Sequence, residues 1–146
     1  MGTSLDLREF LCFAIYSAGH AFNRVYKPLL EELGLTYPQY IAMVLLWERD
    51  GQTVGELGER LFLQSNTLTP LLKRLETLGY VKRSRDPVDE RQVRVQLTES
   101  GRKLRANALH IPECILAASG LDDRKSKQLL AGITALRHTL ENYNAE

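Results

Sequence analysis

The sequence predicts a mainly α-helical chain that carries one small β-hairpin, and three observations lead to this fold class. Leucines recur at helical spacing between residues 68 and 78, which gives that segment one apolar face. Gly79 then ends the helix, because glycine tolerates the left-handed backbone found there. Two short segments of strand character follow, 80–85 and 92–97, and the polar connector 86–91 joins them. A helix followed at once by a hairpin is the layout of a winged helix-turn-helix.

Length and composition predict one compact domain over residues 1–146, since 44% of the chain is hydrophobic and can form a core. Within it the winged helix is predicted over about 37–98, flanked by helical regions over about 5–31 and 98–144. No apolar run approaches the roughly 20 residues that cross a bilayer. The first residues lack the basic start of a signal peptide, so a cytoplasmic protein is expected.

The first helix is predicted to begin at a cap on Ser4 or Asp6 and to run to about Glu31. It carries two stripes, one of them apolar. The apolar stripe is Leu7, Leu11, Ala14, Ala18, Ala21, Val25 and Leu29. The other stripe is Cys12, Tyr16, Gly19, Asn23 and Tyr26, an unusual set for a plain core.

The helix-turn-helix pair is predicted from the residues that follow. Thr36-Tyr37-Pro38 starts a helix over about 38–49, which is apolar on most sides and should be buried. Thr53 and Glu56 have the spacing of a capping box that opens a short helix to Phe62. This helix and the one from Ser65 are separated by only a few residues, as a helix-turn-helix requires.

The carboxyl-terminal third is predicted to be helical with one interruption. Thr98 caps a helix that runs to Ala118, and Pro112 should break it near Ala108 because proline removes a hydrogen bond there. Asp122 or Asp123 caps a last helix that runs to about Tyr143 and carries a leucine-rich seam. The seam is Leu129, Ile133, Leu136 and Leu140. Seams at both ends of the chain predict a homodimer formed by the first and last helices; alternatively, both seams cover the core of one subunit.

Charge favours DNA as the partner, but only locally. The whole chain has a formal net charge of +1, yet residues 73–94 hold seven basic and four acidic side chains. Such clustering is typical of a DNA-binding surface, although it also protects the edge of a sheet from aggregation. A two-fold dimer would place its two reading helices roughly 34 Å apart, which suits double-stranded DNA with a pseudo-palindromic site.

Several residues are candidates for DNA contact. Four small polar residues stand near the start of the second helix of the pair and can meet bases or phosphates. They are Ser65, Asn66, Thr67 and Thr69. Lys73, Arg74 and Arg85 suit phosphates, which fix position without reading sequence. Arg91, at the tip of the hairpin, suits a narrow minor groove with its enhanced negative potential.

Four segments together resemble the MarR-type winged-helix repressors and, within them, the organic hydroperoxide resistance regulators. They are LCFAIYSA (11–18), VYKPLLEELGLTYPQYIAMVLLWE (25–48), LTPLLKRLETLGYVKR (68–83) and DERQVRVQLTESG (89–101). The resemblance implies a homodimeric repressor that binds its operator when reduced. It also implies release of DNA when an organic hydroperoxide oxidises a cysteine near the amino terminus.

The resemblance also assigns roles to residues of this chain. It implies that Cys12 is the reactive cysteine and that Tyr26 and Tyr37 contact it. It implies that Asp89 holds Arg91 at the hairpin tip. Some relatives have a second cysteine that forms a disulfide across the dimer, and Cys114 is the looser match to it. The segment Gln64-Ser65-Asn66 departs from relatives, which have an acidic residue and a glycine there, so the resemblance does not assign its contacts with bases.

The geometry of the first helix constrains the sensor. Cys12 and Tyr16 are four residues apart and share one face. Tyr26 is 14 residues from Cys12, about 21 Å along a straight helix, so contact between them must cross a dimer interface. Tyrosine hydroxyls there would donate to the sulfur and favour the thiolate that attacks peroxide. The helix start, two turns away, should contribute weakly. Alternatively, Cys12 is a small buried hydrophobe.

Free energies favour a covalent second step after oxidation. An unpaired buried sulfenic acid costs about 1–3 kcal/mol, whereas switching a two-state equilibrium from 1:99 to 99:1 needs about 5.5 kcal/mol. A disulfide is more effective, and Cys114 or a small-molecule thiol can supply the second sulfur. A disulfide requires Cα atoms about 4.4–6.8 Å apart, so its formation can move helices. Alternatively, Cys114 is an inert thiol.

Three other functions stay open on the sequence. The first is a MarR-type repressor released by a small phenolic or other ligand instead of by oxidation. The second is a thiol peroxidase that uses Cys12 and Cys114. The third is a helical interaction module without DNA, which leaves the basic hairpin unexplained. The two cysteines lack metal-ligand spacing and the three histidines are scattered, so no metal, cofactor or enzymatic activity is predicted.

Overall fold

A computed structural model of the chain describes residues 5–144. After a short 3-10 turn at Leu7–Glu9 it has seven α-helices and three strands within those residues. They are α1 (Leu11–Glu31), α2 (Tyr37–Glu48), β1 (Gln52–Thr53), α3 (Val54–Leu61), α4 (Ser65–Thr77), β2 (Val81–Arg85), β3 (Val93–Leu97), α5 (Glu99–Ala108), α6 (Ile111–Ser119) and α7 (Asp123–Glu141). The mainly helical fold class with a small wing is confirmed.

The chain divides into two compact units, one up to Leu109 and one from His110 onward. The first unit holds α1 to α5 and the sheet, and the second holds α6 and α7. One domain over 1–146 stays a prediction.

The core of the first unit is formed by α2, α3, α4 and the sheet. Leu68, Leu72 and Leu75, three of the predicted apolar positions of α4, are fully buried. Met43 and Leu46 of α2 are buried as completely, which agrees with the predicted burial of that helix. The exceptions on α4 lie at the edge of its apolar face, where Leu71 is half-buried and Leu78 is exposed.

Helix starts follow the capping residues of the sequence. Thr36, Thr53, Thr98 and Asp122 each accept a hydrogen bond from an amide in the first turn of the helix that they precede. The helix α4 is an exception, because its cap is Gln64, whose side chain makes no capping bond. The predicted break near Ala108 is confirmed, since α5 ends there and α6 begins at Ile111.

The start of the first α-helix differs from the prediction. Asp6 caps only the 3-10 turn, and α1 begins at Leu11 after the extended residue Phe10. Ser4, the other predicted cap, lies outside the described residues. Cys12 is therefore the second residue of α1, so the expectation that the helix start lies two turns away is wrong.

The wing is a three-stranded antiparallel sheet in the order β1-β3-β2. In the predicted hairpin, Val81 lies opposite Leu97 and Arg85 lies opposite Val93. The third strand, β1, pairs with Val95 and Arg94 on the other side of β3. It was not predicted, because two residues are too few for an alternating pattern and Thr53 also serves as a helix cap.

Close backbone contact fixes α5 against the base of the wing. A Cβ atom on Gly101 would lie 2.1 Å from the carbonyl oxygen of Tyr80, so only glycine fits at this position. The indole Nε1 of Trp47 in α2 donates to the carbonyl oxygen of Gly101 at 2.9 Å. These contacts connect α2, α5 and the start of β2 around one residue.

The second unit leaves its long helix largely uncovered. Leu129, Ile133 and Leu140, three residues of the predicted seam, are 53%, 41% and 64% exposed. Leu136, the fourth residue of the seam, is half-buried. Gly120 has φ of +69° between α6 and α7, as expected for a helix stop. Among the described residues, no helix combines the length and apolarity needed to cross a membrane.

Candidate DNA-binding surface and sensor site

The start of α4 presents its polar residues to solvent. Ser65, Asn66 and Thr67 occupy its first turn and are exposed, whereas Thr69 is half-buried. Pro70 lies inside the helix and has no amide hydrogen, so it leaves the Asn66 carbonyl without the usual helical bond. Exposed donors and a free acceptor at a helix start can contact bases or phosphates.

The predicted phosphate-binding residues are also accessible. Lys73 and Arg74 are exposed on α4. Arg85 ends β2, and its guanidinium donates to the carbonyl oxygen of Glu90 at 2.9 Å, so it leans across the hairpin loop. The surface carries positive charge on both the helix and the wing.

A buried carboxylate holds the hairpin loop in shape. Asp86 is 5% exposed, and its side chain accepts the amide hydrogens of Val88 at 2.7 Å and of Asp89 at 3.0 Å. The Nε of Arg94 donates to the same carboxylate at 2.9 Å, while its Nη1 donates to the carbonyl oxygen of Gly51 at 2.7 Å. The hydrogen bonds from Arg94, and then those from the two amides, lower the pKa of Asp86 to about 2.

Arg91 projects from this loop. Its side chain is 91% exposed, and Asp89 accepts its Nε at 3.0 Å and its backbone amide at 3.1 Å. The contact that the resemblance implies between these two side chains is thus present, and their role on DNA stays a prediction. Asp89 thus holds the guanidinium group itself and fixes its orientation.

A second carboxylate connects the wing to α4. Glu76 accepts the backbone amide of Arg83 at 3.0 Å and its Nη2 at 3.4 Å, and these bonds lower the pKa of Glu76. Sequence reasoning treats Glu76, Asp86 and Arg94 only as charges. The Asp-Pro pair at the start of the loop was the available signal for the role of Asp86. An aspartate at the start of a turn commonly accepts hydrogen bonds from amides two or three residues later.

Cys12 is exposed at the start of α1. The cap residue Phe10 contributes no side-chain hydrogen bond, and the amide of Ala14 is the first in the helix that donates to a backbone carbonyl, that of Phe10. The positive end of the helix dipole acts on anions within the first turn, where Cys12 lies. Cys12 therefore lies in the first turn of α1 and not two turns from the helix start.

Two of the predicted pocket tyrosines, Tyr26 and Tyr37, are in contact, and Tyr40, which was not predicted, packs beside them. The rings of Tyr26 and Tyr37 have centroids 4.8 Å apart, and those of Tyr26 and Tyr40 are 5.9 Å apart. Burial, together with both neighbouring tyrosines, raises the pKa of Tyr26 to about 12. Its hydroxyl thus keeps its proton at neutral pH and can donate a hydrogen bond. Tyr40 was missed because it stands in the apolar run of α2.

A cavity of about 470 Å³ lies against the same face of α1. Its lining residues are Tyr16, Gly19, His20, Phe22, Asn23, Tyr26 and Tyr37. The structure thus brings together Tyr16, Tyr26 and Tyr37, the three tyrosines of the predicted sensor pocket. Cys12 is not among the lining residues.

The second candidate redox residue, Cys114, lies in the second unit. It is half-buried in α6, its backbone amide donates to the carbonyl oxygen of His110, and both cysteines carry free thiols. The described residues contain no cluster of histidine, cysteine, aspartate and glutamate that could hold a metal ion.

The helix pair α3 and α4 is followed by the hairpin β2–β3, which forms a three-stranded sheet with β1, and this arrangement defines the chain as a winged helix-turn-helix protein. The family model of the transcriptional regulators SarA/Rot matches residues 24–108. The chain belongs to this MarR-like family of winged-helix transcriptional regulators.

Individual relatives narrow the comparison. The chain is 44% identical to the organic hydroperoxide resistance transcriptional regulator of Bacillus subtilis, over 96% of this chain and 95% of that protein. It is 48% identical to the transcriptional regulator TtmR of Methylorubrum extorquens, over 94% of this chain and 69% of that protein.

AbfR of Staphylococcus epidermidis provides related solved structures. Reduced AbfR bound to DNA is 37% identical, with a TM-score of 0.74 over 88% of this chain and 89% of that chain. Disulfide-formed AbfR is 38% identical, with a TM-score of 0.60 over 90% of this chain and 87% of that chain.

Proposed function

We propose that this chain is a homodimeric repressor that binds a pseudo-palindromic operator when Cys12 is reduced and releases it when an organic hydroperoxide oxidises Cys12. One observation carries the proposal. An exposed cysteine begins α1, and the face of α1 on which it lies continues into a cavity lined by Tyr16, Tyr26 and Tyr37. Similarity to the B. subtilis organic hydroperoxide regulator over nearly the whole chain supports the same conclusion.

Exposed apolar faces support the homodimer. On α1, Leu11 is 62% exposed and Tyr16 is 65% exposed, and only Leu30 of the helix is buried. The seam of α7 is uncovered in the same way, and α7 has no buried residue. Uncovered apolar faces of this kind mark interfaces between proteins. In the proposed dimer, α1 and α7 cover their counterparts, and Cys12 meets the partner's Tyr26 and the partner's Tyr37.

The proposed oxidation consumes one peroxide for each Cys12. The thiolate sulfur attacks the terminal oxygen of the hydroperoxide, an S–O bond forms and the O–O bond breaks. The departing alkoxide takes up a proton and leaves as an alcohol. Sulfur gives up two electrons to the peroxide, so Cys12 becomes a sulfenic acid. Its place in the first turn of α1 and hydrogen bonds from tyrosine hydroxyls stabilise the attacking thiolate.

A second thiol completes the switch in this proposal. It attacks the sulfenic sulfur, so that an S–S bond forms and water leaves. Cys114 is the candidate within the protein, and a small-molecule thiol is the alternative. The existence of AbfR in both a reduced DNA-bound form and a disulfide form supports this scheme. A disulfide that needs Cα atoms about 4.4–6.8 Å apart can move helices, and thereby separate the two DNA-reading units.

On DNA, the first turn of α4 is proposed to enter the major groove, while Arg91 reaches the adjacent minor groove. Its exposure and its contact with Asp89 support that role. Lys73, Arg74 and Arg85 are proposed to contact phosphates.

The cavity also supports a second candidate function, which is release of DNA by a small phenolic ligand. Its volume of about 470 Å³ lies within the range of small-molecule sites, and aromatic residues line it. Mass spectrometry after peroxide treatment separates the two functions. A ligand sensor would show no oxygen adduct or disulfide at Cys12.

The test of the proposed function is a comparison of Cys12→Ser with the native chain. We expect the variant to bind operator with native affinity and to stay bound at cumene hydroperoxide concentrations that release the native protein. Cys114→Ser is the matched control, which should still form the sulfenic acid but no intersubunit disulfide. Normal release of the Cys12→Ser variant by peroxide would refute the redox assignment.

A further inference from the structure

We propose that the α1 helices of the two subunits cross antiparallel at Gly19, and that Gly19 is a positioning residue for the sensor. In this arrangement, residues whose numbers add to 38 lie at the same level along the two helices. The inference rests on the proposed function, because it starts from the contact between Cys12 and the partner's Tyr26.

Two-fold symmetry fixes the crossing point. If Cys12 lies opposite the partner's Tyr26, then Tyr26 lies opposite the partner's Cys12, since a two-fold interface repeats each contact in reverse. Both contacts can form between two copies of one helix only when the copies run antiparallel. The symmetry axis then passes midway between residues 12 and 26, which is residue 19.

The residue at this point is the single glycine of α1. Glycine inside a helix costs about 1 kcal/mol relative to alanine, so a reason for it is expected. Two helical glycines are required by contacts within the chain, since a Cβ on Gly101 would lie 2.1 Å from the Tyr80 carbonyl oxygen and a Cβ on Gly58 would lie 2.8 Å from the Leu63 carbonyl oxygen. Gly132 of the exposed helix α7 has no such contact. A Cβ on Gly19 would meet nothing within 4 Å. No contact within the described chain therefore requires glycine at position 19, whereas a contact with a second copy would.

A helix crossing supplies that reason. The distance between packed helix axes is about 8–10 Å and depends on the side chains at the contact, so glycine gives the closest approach. Cys12, Gly19 and Tyr26 are seven residues apart in turn, and a helix drifts only about 20° in seven residues, so all three share one face. Tyr16 and Phe22 flank Gly19 and are 65% and 43% exposed, which leaves apolar surface for the crossing to cover.

The crossing also accounts for the open cavity. Its α1 residues run from Tyr16 to Tyr26, so residues 12–22 of the partner lie at the same level. The partner's helix would then cover the cavity, with the partner's Cys12 at the end where Tyr26 and Tyr37 stand. A side chain at position 19 would separate the helices and move Cys12 away from the tyrosines.

Disulfide trapping tests the crossing without peroxide. In a chain with Cys12→Ser and Cys114→Ser, we introduce Gly19→Cys and oxidise with copper phenanthroline. A residue on the two-fold axis should bond to its own copy, because the paired Cβ atoms come within about 3.5–4.5 Å. Most of the protein should run as a covalent dimer on a non-reducing gel. Arg24→Cys in the same background is the control, since it lies on another face of α1 and should stay monomeric on the gel.

A mixed experiment checks the register. One chain keeps Cys12 and has Cys114→Ser, and the other has Cys12→Ser, Cys114→Ser and Tyr26→Cys. Only the mixture should give a cross-link between Cys12 of one chain and the thiol introduced at position 26 of the other. If this pair cross-links while Gly19→Cys does not, the crossing at Gly19 is wrong and the sensor contact survives. If neither cross-links in a protein that sediments as a dimer, α1 does not form the crossing.

The positioning role is tested by the rate at which Cys12 loses its thiol to cumene hydroperoxide. Gly19→Leu should keep its helical content, because leucine favours helices, and should react at least tenfold more slowly. Arg24→Leu adds the same side chain on another face and should react within twofold of the native rate. A native rate in Gly19→Leu would overturn the positioning role. Cross-linking at position 19 in a protein whose Cys12 ignores peroxide would instead overturn the proposed function alone.

Discussion

The DNA-reading unit and the first helix differ in how much of their structure a single chain completes. In α4, Leu68, Leu72 and Leu75 are fully buried, and the hairpin loop has its own buried carboxylate at Asp86. In α1, one residue of 21 is buried. The winged helix is thus stabilised by contacts within one chain. The helix α1, in contrast, is completed by a second copy in the proposed dimer.

The largest loss of stability is expected from Leu72→Ala, a substitution inside the core of the winged helix. It should lower the free energy of unfolding by about 2–5 kcal/mol, because it opens a cavity in the core. The measurement is urea unfolding at several protein concentrations. The control Val88→Ala removes methyl groups from a side chain that is 95% exposed, and should change stability by less than about 0.5 kcal/mol. Similar losses in both variants would contradict the buried core.

A substitution in the α7 seam should weaken the dimer without unfolding the subunit. We expect Ile133→Lys to raise the dimer dissociation constant roughly a hundredfold, about 2.7 kcal/mol, because a charge would enter an apolar interface. Helical content should be preserved. Sedimentation analysis measures the effect, and Lys127→Ala, on the opposite face of α7, is the control. An unchanged dimer would mean that α7 is not part of the interface.

Arg91→Ala tests the DNA-binding unit separately from the dimer. Operator affinity should fall roughly tenfold, and the salt dependence should lose about one phosphate contact, because the arginine is expected to lie in the minor groove. The dimer should be unaffected. Titrations at several salt concentrations measure this, with Arg124→Ala on α7 as the charge-matched control. Equal affinity for the native chain and Arg91→Ala at fixed salt would rule out the contact.

The smallest effect is a pH dependence in the hairpin loop. The pKa of Asp86 is lowered from its ordinary value near 3.8 to about 2, so its ionised form stabilises the folded state. This stability is fully present above the unfolded value and is lost as pH falls through about 2. Asp86→Asn should therefore melt a few degrees below the native chain at pH 6, and the gap should close by about pH 2. A gap that is constant with pH would exclude the carboxylate as its source.

Much of the fold could be predicted from local sequence signals. The caps Thr36, Thr53, Thr98 and Asp122 and the break near Ala108 were all predictable, because each depends on residues within one turn. The hairpin is indicated by the alternation of Val93, Val95 and Leu97 in β3, whereas β2 does not alternate and its register against β3 is known only from the structure.

What was missed depends on contacts between distant residues. The strand β1 exists only because Gln52 and Thr53 reach β3 more than 40 residues later. The buried carboxylate of Asp86 pairs with Arg94, whose Nη1 also donates to the carbonyl oxygen of Gly51, a residue more than 40 positions earlier in the chain. The start of α1 was misplaced because Phe10 is extended, although Asp6 offered a nearer cap that serves only the 3-10 turn. That error hid the proximity of Cys12 to a helix end.

The indole of Trp47 gives the protein a built-in optical probe. It is the only tryptophan in the sequence, and its N–H donates to the Gly101 carbonyl at the point where α2, α5 and β2 meet. Emission from this ring depends on its hydrogen bond and on its shielding from water. A shift of α5 against α2 during the switch would therefore change the fluorescence, and stopped-flow mixing with peroxide could follow the event in unlabelled protein.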